Sequence, residues 1–434
     1  MSEQITSPLP AALPAALPAT WHWATTWCAS AQGPYPSGNA TAQPCLDFAF
    51  PDPAQGACDQ SFRLIVKPAI WGRLARIRLT NAFGSQTVRF GGIHLGMPSS
   101  SAALIPGSNQ PVTFGGSSEL TLPPGACAWS DPVRLPLVED PHSPLLRAHK
   151  LAVSFHVLGT SGPMTWHAKA MGTSYLTPPG AGAAGHLEDE QSFSYSTTSW
   201  FFLDAIDVLA PPDTRVVVAI GDSITDGSAS TLNGFDRWPD VLQRRLQAEH
   251  GNRVAVLNAG IGGNRIAGPP AYSLAEPFPG GPSMADRLAR DVLSLSGVTS
   301  VIWAEGTNDF GEMGQASVAQ VQQTMTDVVM RLRAALRGVT VVGATNHCVS
   351  GASIANHGSP VQEAKRQQLN VFIRSCGLFD VIADFDAATF DAQTGRMRAA
   401  FIPDSAVGGA GDGVHPNRTG YLAMAQAVPL EPLL

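Results

Sequence analysis

Residues 215–227 read RVVVAIGDSITDG. The first six form a short and mostly apolar run, which is typical of a strand buried on both faces of a parallel sheet. The glycine-flanked turn that follows places Ser223 directly after this strand. A serine in this position lies at the edge of a sheet, where a substrate can reach it, but an ordinary turn with an N-capping serine fits the same letters. Ser223 is therefore a candidate nucleophile, to be weighed against the rest of the chain.

The chain around this stretch alternates strands and helices from Pro211 onward. Five apolar runs separated by amphipathic segments predict a parallel sheet with helices on both faces. In such sheets the active site lies at the carboxyl ends of the strands. We predict strands at 215–220, 253–258, 298–304, 339–344 and 380–384, and helices near 238–250, 283–295, 316–337, 360–375 and 418–427.

Two further segments follow predicted strands and have the composition of ligand-facing turns. Residues 258–265 read NAGIGGNR, and such glycines let the backbone approach a ligand and direct N–H groups at it. A dinucleotide-binding fingerprint is the rival interpretation, and it fails because Arg265 occupies the place of its last glycine. Residues 305–309 read EGTND, where the Asn308 amide can donate to a developing oxyanion, although a plain turn residue is the alternative.

A histidine near the C-terminus offers the base that a serine nucleophile needs. Residues 412–417 read DGVHPN and precede the last predicted helix. A serine hydroxyl is a weak nucleophile at neutral pH and requires a base that is oriented by a third group. His415 can be that base, and Asp412 can hold its ring. A capping aspartate beside a surface histidine is the alternative, and for these letters alone it is the commoner case.

These four segments, taken in order, resemble the conserved blocks of the SGNH/GDSL hydrolase superfamily. GDSITDG resembles the first block, NAGIGGN the second, GTND the third and DGVHPN the fifth. Ile224 stands where the family usually has leucine. The resemblance covers residues 215–434, about half of the chain. It implies a flavodoxin-like three-layer α/β/α fold with a parallel sheet.

The same resemblance implies a chemistry and its residues. Ser223 matches the nucleophile, His415 the base and Asp412 the residue that orients the base. Gly263 and Asn308 match the other family landmarks. The oxyanion hole is then formed by the N–H groups of Ser223 and Gly263 and by the Asn308 side chain. The implied reaction is ester hydrolysis through an acyl-enzyme, which requires no metal and no cofactor.

The N-terminal half of the chain has the pattern of an all-β domain. Residues 150–157 read KLAVSFHV, with apolar residues at every second position, as in a strand. Many short runs of this kind, separated by turn residues, predict a β-sandwich or jelly-roll-like fold. A β-domain in this place resembles the two-domain bacterial family members, which include some carbohydrate esterases. We predict a flexible lead at 1–20, a β-domain at 21–210 and a hydrolase domain at 211–434.

Composition excludes several classes of protein. The chain has 434 residues and a net charge of −7, with 44% hydrophobic and 14% charged residues. It has no basic cluster that would indicate nucleic-acid binding, and no run of about 18 apolar residues that would span a membrane. The N-terminus lacks the features of a signal peptide, which predicts a cytoplasmic protein, or a secreted one if a leader was removed. Six cysteines are too few for a disulfide scaffold, and free thiols are the favoured prediction; a bond between Cys45 and Cys58 across a short loop is the alternative.

We therefore predict a two-domain serine esterase that acts on short acyl esters, with acetyl on a saccharide as the example. Its partner would be a small-molecule or saccharide ester. An acyltransferase with the same catalytic residues is one alternative, and a carbohydrate-binding protein with an idle hydrolase half is another. For the latter, the candidates for a sugar platform are Trp21, Trp23, Trp27, Trp166 and His167, with core packing as the favoured role.

Overall fold

The computed structural model describes residues 20–38, 45–269, 272–354 and 357–434. The predicted flexible lead at 1–20 lies, except for its last residue, outside the described residues. The last strand of the large antiparallel sheets ends at Ala210, and the first strand of the parallel sheet begins at Arg215. The change from antiparallel to parallel sheet therefore falls at residues 211–214.

Where the structure describes it, the N-terminal half consists of short strands and one 3₁₀ helix. The strands are β1 (His22–Cys28), β2 (Gly33–Pro34), β3 (Cys58–Val66), β4 (Leu74–Thr80), β5 (Val88–Gly96), β6 (Pro98–Ser100), β7 (Ala103–Leu104), β8 (Gln110–Pro111), β9 (Leu120–Leu122), β10 (Cys127–Trp129), β11 (Val133–Arg134), β12 (Leu151–Thr160), β13 (Thr165–His167), β14 (Ser174–Leu176), β15 (Tyr195–Thr197), β16 (Trp200–Phe201) and β17 (Leu203–Ala210), with the 3₁₀ helix at Pro144–Ala148.

Two larger antiparallel sheets make up this half. The first has the order β1-β17-β4-β10, with β11 beside β4, and the second has the order β15-β14-β3-β12-β5-β8, with β9 beside β5. Their inner faces share one hydrophobic core, in which Ile77 and Ile206 of the first sheet join Phe62 and Phe155 of the second. A third, small sheet has the order β16-β13-β2. The all-β prediction is confirmed, because the alternating apolar positions face this shared core.

The C-terminal half alternates strands and helices. Its elements are β18 (Arg215–Gly221), α1 (Ser223–Asp226), α2 (Trp238–His250), β19 (Val254–Gly260), α3 (Met284–Leu288), a π-helical turn (Ala289–Leu293), β20 (Val298–Ala304), α4 (Val318–Ala335), β21 (Thr340–Ala344), α5 (Pro360–Ser375), β22 (Val381–Ala383), α6 (Phe385–Thr389), β23 (Phe390–Asp391), β24 (Arg396–Met397) and α7 (Arg418–Gln426), with 3₁₀ helices at Ala399–Phe401 and Glu431–Leu433.

Five of these strands form a parallel sheet in the order β19-β18-β20-β21-β22. This is the flavodoxin-like order, with the first strand between the second and the third. Val217 of β18 packs with Leu242 of α2 and Met424 of α7 on one face. Val218 packs on the other face, in the cluster that includes Val328 of α4. The three-layer α/β/α prediction is confirmed, and the strands are mostly apolar because both faces of the sheet are covered.

The register of the sheet brings three strand ends to one level. Gly221 at the end of β18 pairs with Gly260 at the end of β19 and with Ala304 at the end of β20. The loops after these strands begin side by side, since parallel strands that end in register deliver their following residues to the same edge. Segments that are far apart in the chain therefore meet at one place.

The two halves of the chain are joined by polar contacts and by a continuous apolar core. The N–H of Thr25 in β1 donates to the carbonyl of Ser296 before β20 (3.0 Å). The Arg78 guanidinium of β4 donates to the Ser294 hydroxyl (2.8 Å). One hydrophobic cluster contains residues of both sandwich sheets and of the parallel sheet. Whether the predicted domains at 21–210 and 211–434 fold independently stays a prediction.

Two further sequence-based expectations concern cysteines and membranes. All six cysteines are unpaired, so the alternative pairing of Cys45 with Cys58 is not formed. Within the described ranges, no helix has both the length and the apolar character needed to cross a bilayer.

A fragment that begins at residue 211 is expected to be less stable than the full chain and to lack the esterase activity that the sequence predicts. Removal of the β-half exposes the apolar surface that it covers. It also removes the contacts that β1 and β4 make with residues before β20, and a displacement of about 1 Å at a catalytic group can cost about 10²-fold in rate. Thermal unfolding followed by circular dichroism, together with a p-nitrophenyl acetate assay, measures both effects. A soluble fragment with the full chain's melting temperature and activity would contradict the expectation.

Candidate active site

The turn after β18 holds Ser223 as the first residue of α1. The Asp222 carboxylate caps this helix by accepting a hydrogen bond from the N–H of Ile224 (2.9 Å). Gly227 ends the helix with φ 103°, a left-handed conformation that favours glycine. Because the single helical turn is fixed at both ends, the Ser223 hydroxyl is held at the carboxyl edge of the sheet, where the residue is 9% exposed.

His415, on the loop before α7, lies between this hydroxyl and Asp412. Its Nε2 is 2.8 Å from Oγ of Ser223, and its Nδ1 is 2.5 Å from Oδ2 of Asp412. Oδ1 of Asp412 accepts the N–H groups of Val414 and His415, both at 2.8 Å. Ser223 and Asp412 lie 189 positions apart in the chain, and His415 lies three positions after Asp412. The imidazole of His415 contacts both of the other residues, as the serine–histidine–aspartate arrangement requires.

The surroundings of Asp412 keep it ionised. Burial acts to raise the pKa of this carboxyl, but the hydrogen bond and charge of His415 and the N–H of Val414 outweigh burial. Together they hold the pKa of Asp412 well below its usual range. An ionised Asp412 has no proton to donate, so its Oδ2 accepts a hydrogen bond from Nδ1–H of His415, and the Nε2 lone pair of the ring then faces the Ser223 hydroxyl.

Three N–H donors face the same space as the Ser223 hydroxyl. The N–H of Ser223 lies in the first turn of α1, where it has no acceptor within the helix. Gly263 has φ 81°, and no hydrogen-bond acceptor for its N–H occurs in the part of the chain that the structure describes. The Asn308 amide donates one N–H to the carbonyl of Asn264 (3.0 Å), which leaves its second N–H for a ligand. Such a group of donors can stabilise a tetrahedral oxyanion.

The variant Asn308→Ala is expected to lower kcat by about 10²- to 10³-fold with little change in KM, because an oxyanion donor acts mainly in the transition state. Steady-state kinetics with p-nitrophenyl acetate measure both constants. Asn308→Asp is the matched variant, since it keeps the size of the side chain and removes the donor. A rise in KM with unchanged kcat would assign Asn308 to ground-state binding instead.

A buried arginine fixes the strand ends that carry these groups. The Arg287 guanidinium donates to the carbonyls of Gly221 (2.9 Å) and Ala259 (2.7 Å) and to Oδ1 of Asn264 (2.7 Å). It also forms an ion pair with Asp291 (3.1 Å). One side chain therefore ties the end of β18 to the end of β19 and to the loop that carries the Gly263 N–H.

Three buried carboxyl groups lie behind the site. Asp309 accepts the N–H groups of Ile266 and Ala267, both at 2.9 Å, and so joins the loops after β20 and β19. Burial raises the pKa of Asp309 to about 6 and that of Asp222 to about 7. Burial also raises the pKa of Glu305 well above its ordinary value, and neither of its carboxyl oxygens has a hydrogen-bond partner among the described residues. At neutral pH these three acids are therefore partly protonated, and together they carry less negative charge than three ionised carboxylates would.

The site opens into a pocket of about 620 Å³. Arg265 and Phe278, from the loop after β19, form part of its wall, as does Met313 from the loop after β20. Lys169 and Met171 reach it from the β-half, after β13. The pocket is thus built by both halves of the chain, a feature that no motif in the N-terminal half indicated.

The β-half also holds the nucleophile's turn directly. Nε2 of His167 lies 3.1 Å from Oδ1 of Asp226, the last residue of α1, while Oδ2 of Asp226 accepts the N–H of Gly262 (2.9 Å). Nζ of Lys169 donates to the Ser228 hydroxyl. Sequence reasoning missed His167 and Lys169 as neighbours of the site. The only available signal was composition, because Lys169 is one of four lysines in the chain.

Residues 219–423 match the model of the GDSL-like lipase/acylhydrolase family. This range contains the turn that carries Ser223, the loops that carry Gly263 and Asn308, and the Asp412–His415 pair. No curated protein matches the chain.

Solved structures similar to the chain cover about half of it. The carbohydrate acetylesterase Est24 from Sinorhizobium meliloti is 15% identical and is matched over 49% of this chain and 96% of its own, with a TM-score of 0.38. The aryl esterase of M. smegmatis is 16% identical over 51% of this chain and 100% of its own, with a TM-score of 0.38. A lipase/acylhydrolase from Enterococcus faecalis is 19% identical over 49% of this chain and 93% of its own, with a TM-score of 0.37.

Proposed function

We propose that the protein is a serine esterase for short acyl esters of polar alcohols, with acetylated saccharides as the favoured case. Residues 219–423 belong to the GDSL-like lipase/acylhydrolase family, which makes the protein a carboxylic ester hydrolase. The observation that carries the proposal is the contact of one imidazole with two partners. Nε2 of His415 lies 2.8 Å from the Ser223 hydroxyl, and Nδ1 lies 2.5 Å from Asp412. This geometry meets the requirement for a hydroxyl activated by an oriented base.

Acylation begins when Oγ of Ser223 attacks the carbonyl carbon of the ester. The hydroxyl proton passes to Nε2 of His415, and Asp412 stabilises the imidazolium that forms. The carbonyl oxygen becomes an oxyanion held by the N–H groups of Ser223 and Gly263 and by the Asn308 amide. The tetrahedral intermediate then breaks its bond to the alcohol oxygen, which takes the proton from His415 as the alcohol leaves.

Deacylation repeats these steps with water in place of the serine. His415 removes a proton from the water as its oxygen attacks the acyl carbon. The second tetrahedral intermediate breaks its bond to Oγ of Ser223, and the serine recovers its proton from the imidazolium. The products are a carboxylic acid and the free enzyme.

The lining of the pocket supports a polar alcohol as the leaving group. Lys169, Arg265 and Asp404 line the same pocket as Ser223, beside apolar side chains such as Met313. A few charged or polar groups in a binding site orient a polar ligand through hydrogen bonds, whereas a long acyl chain requires a continuous apolar wall. A saccharide presents hydroxyl groups that these side chains can bind.

An ester panel tests the proposal. The wild-type protein is expected to hydrolyse p-nitrophenyl acetate and to release acetate from acetylated saccharides, with rates that fall as the p-nitrophenyl ester is lengthened from acetate to palmitate. A preference for the long esters would overturn the short-acyl assignment. An added acceptor alcohol separates hydrolysis from acyl transfer, because a transferase forms the new ester at the expense of free acid.

Complete inactivity on the panel would instead favour the carbohydrate-binding alternative. The tryptophans offer that alternative little support. Trp27 and Trp166 are only 7% and 1% exposed and pack in the hydrophobic core. Trp21 is more exposed than these two, with 38% of its surface accessible to solvent. Buried indoles stabilise the sandwich and are not accessible for stacking on a sugar.

A further inference from the structure

Two buried cations line the pocket that contains Ser223, and they come from different halves of the chain. Lys169 follows β13 in the β-half and is 9% exposed, while Arg265 follows β19 and is 7% exposed. Neither of them takes part in the proton transfers or in the oxyanion binding of the proposed hydrolysis. Lysine and arginine are rarely buried this deeply without a carboxylate partner, because removing a charge from water is unfavourable.

Lys169 has one hydrogen-bond acceptor for the three donors of its ammonium group. Nζ donates to the Ser228 hydroxyl, and no carboxylate oxygen of the described residues lies within 4.0 Å of it. The two acids whose charges act on it most strongly have other partners. Asp226 accepts from His167 and from the N–H of Gly262, and Asp412 pairs with the imidazole of the active site. Burial lowers the pKa of Lys169, because the nearby carboxylates offset only part of the cost of removing its charge from water.

Arg265 is similarly short of partners. Its Nη1 donates to the carbonyl of Met313 (2.6 Å), its guanidinium lies 3.9 Å from the centre of the Phe278 ring, and its Nε is buried without a partner. No carboxylate within the described ranges lies within 4.0 Å of this guanidinium. The nearby Asp309 carboxyl is occupied by two backbone N–H groups. The guanidinium therefore retains donors for a ligand on the pocket side.

The acids that line the pocket do not supply the missing partner. Asp404 accepts the N–H groups of Ala406 (2.8 Å) and Val407 (3.4 Å). Asp412 is held by His415, as described above. A carboxylate on the substrate would supply the missing acceptor for both Lys169 and Arg265. Carboxylates accept charge-assisted hydrogen bonds from ammonium and guanidinium groups alike.

We propose that the esterase selects substrates that carry a carboxylate, and that Lys169 and Arg265 are the specificity-determining residues that bind it. The inference rests on the proposed esterase function and names the substrate class of the same site. The ester carbonyl lies at Ser223, and the carboxylate belongs either to the acyl part or to the alcohol part of the substrate. The β-half then has a defined role, because it contributes one of the two cations.

Matched pairs of esters test the proposal and distinguish the two positions of the carboxylate. Monoethyl glutarate against ethyl valerate varies only the end of the acyl chain, and release of ethanol is measured. Acetylated galacturonic acid against acetylated galactose varies the alcohol, and release of acetate is measured. We expect the wild-type kcat/KM to favour the charged member about 10- to 100-fold in at least one pair, the range of one charge-assisted hydrogen bond. This preference should fall as salt is raised.

Neutral variants identify the residues responsible. Lys169→Met and Arg265→Met are each expected to lower the preference for the charged ester, measured as its kcat/KM divided by that of its neutral counterpart, by about 10-fold or more, mainly through a higher KM for the charged ester. Lys150→Met is the matched control, because Lys150 lies over the Phe235 ring and not in this pocket. Where a methionine variant does not fold, the glutamine variant at the same position replaces it.

The possible failures are distinguishable. Hydrolysis of the neutral esters with no preference in either pair overturns this inference and leaves the proposed esterase intact. A preference that survives in both variants also overturns it, since the carboxylate is then bound elsewhere. Inactivity of the wild-type protein on every ester, p-nitrophenyl acetate included, overturns the proposed function and the inference with it.

Discussion

Ser223→Ala is expected to lower kcat for p-nitrophenyl acetate by about 10⁴-fold or more, because the variant lacks the oxygen that forms the acyl-enzyme. Binding should change little, since the pocket wall is unaltered. The residual rate over water would come from the oxyanion donors and from substrate binding alone. Stopped-flow and steady-state kinetics measure the loss, and a melting curve equal to that of the wild type shows that the fold is retained.

Ser228 provides the comparison that makes this prediction specific. Both serines line the pocket, but only Ser223 contacts the imidazole of His415, whereas Ser228 accepts from Lys169. Ser228→Ala should therefore lose far less activity than Ser223→Ala. A fluorophosphonate probe followed by peptide mass spectrometry should label Ser223. Labelling of Ser228 in its place, or an active Ser223→Ala variant, would contradict the assignment of the nucleophile.

Asp412→Asn is expected to lower kcat by about 10⁴-fold while the fold is kept, because an amide cannot support the tautomer that catalysis needs. Oδ1 accepts the N–H groups of Val414 and His415, so an asparagine oxygen will remain in that place. Its NH₂ group then faces Nδ1 of His415 and donates to it. The ring is forced to carry its proton on Nε2, where it can no longer accept the hydroxyl proton of Ser223.

Kinetics of single and double variants check this account. His415→Ala should lose about as much activity as Ser223→Ala, and combining it with Asp412→Asn should add little, because residues that act as a unit are not additive. Asp327→Asn is a matched control on the exposed side of α4, where the carboxylate accepts a hydrogen bond from the Gln323 amide and lies away from the pocket. Additive losses, or a loss confined to KM, would contradict the orienting role of Asp412.

The parallel sheet and its helices were predicted accurately because their signals are local. The predicted strand at 215–220 is observed at Arg215–Gly221, and the predicted helix at 316–337 is observed at Val318–Ala335. A short continuous apolar run indicates a strand that is buried on both faces, and apolar residues at helical spacing indicate a helix that is buried on one face. Both patterns can be read from the residues of the segment itself. The ends differ by one or two residues because caps decide them, as Ser317 does with its hydrogen bond from the N–H of Gln320.

The role of the β-half could not be predicted in this way. Lys169 and His167 reach the nucleophile's turn through the relative placement of two sheets, and no spacing along the chain encodes that placement. His167 was weighed as a sugar platform or a core residue, and it is a buried partner of Asp226. The sequence around a single histidine or lysine does not show whether the residue packs in a core or contacts the candidate site. Only the residues that surround it in the folded chain distinguish the two roles.

By itself, the sequence determined the class of fold after residue 211 and the four segments that carry the candidate chemistry, because strand-end turns, glycines and a D-x-x-H pair are read from adjacent residues. Only the tertiary structure decided that Gly221, Gly260 and Ala304 end in register, which brings those segments together. It alone also decided that a lysine of the β-half shares their pocket. The physical reason is that hydrogen-bond register and packing between sheets depend on contacts between residues distant in the chain, which no local pattern specifies.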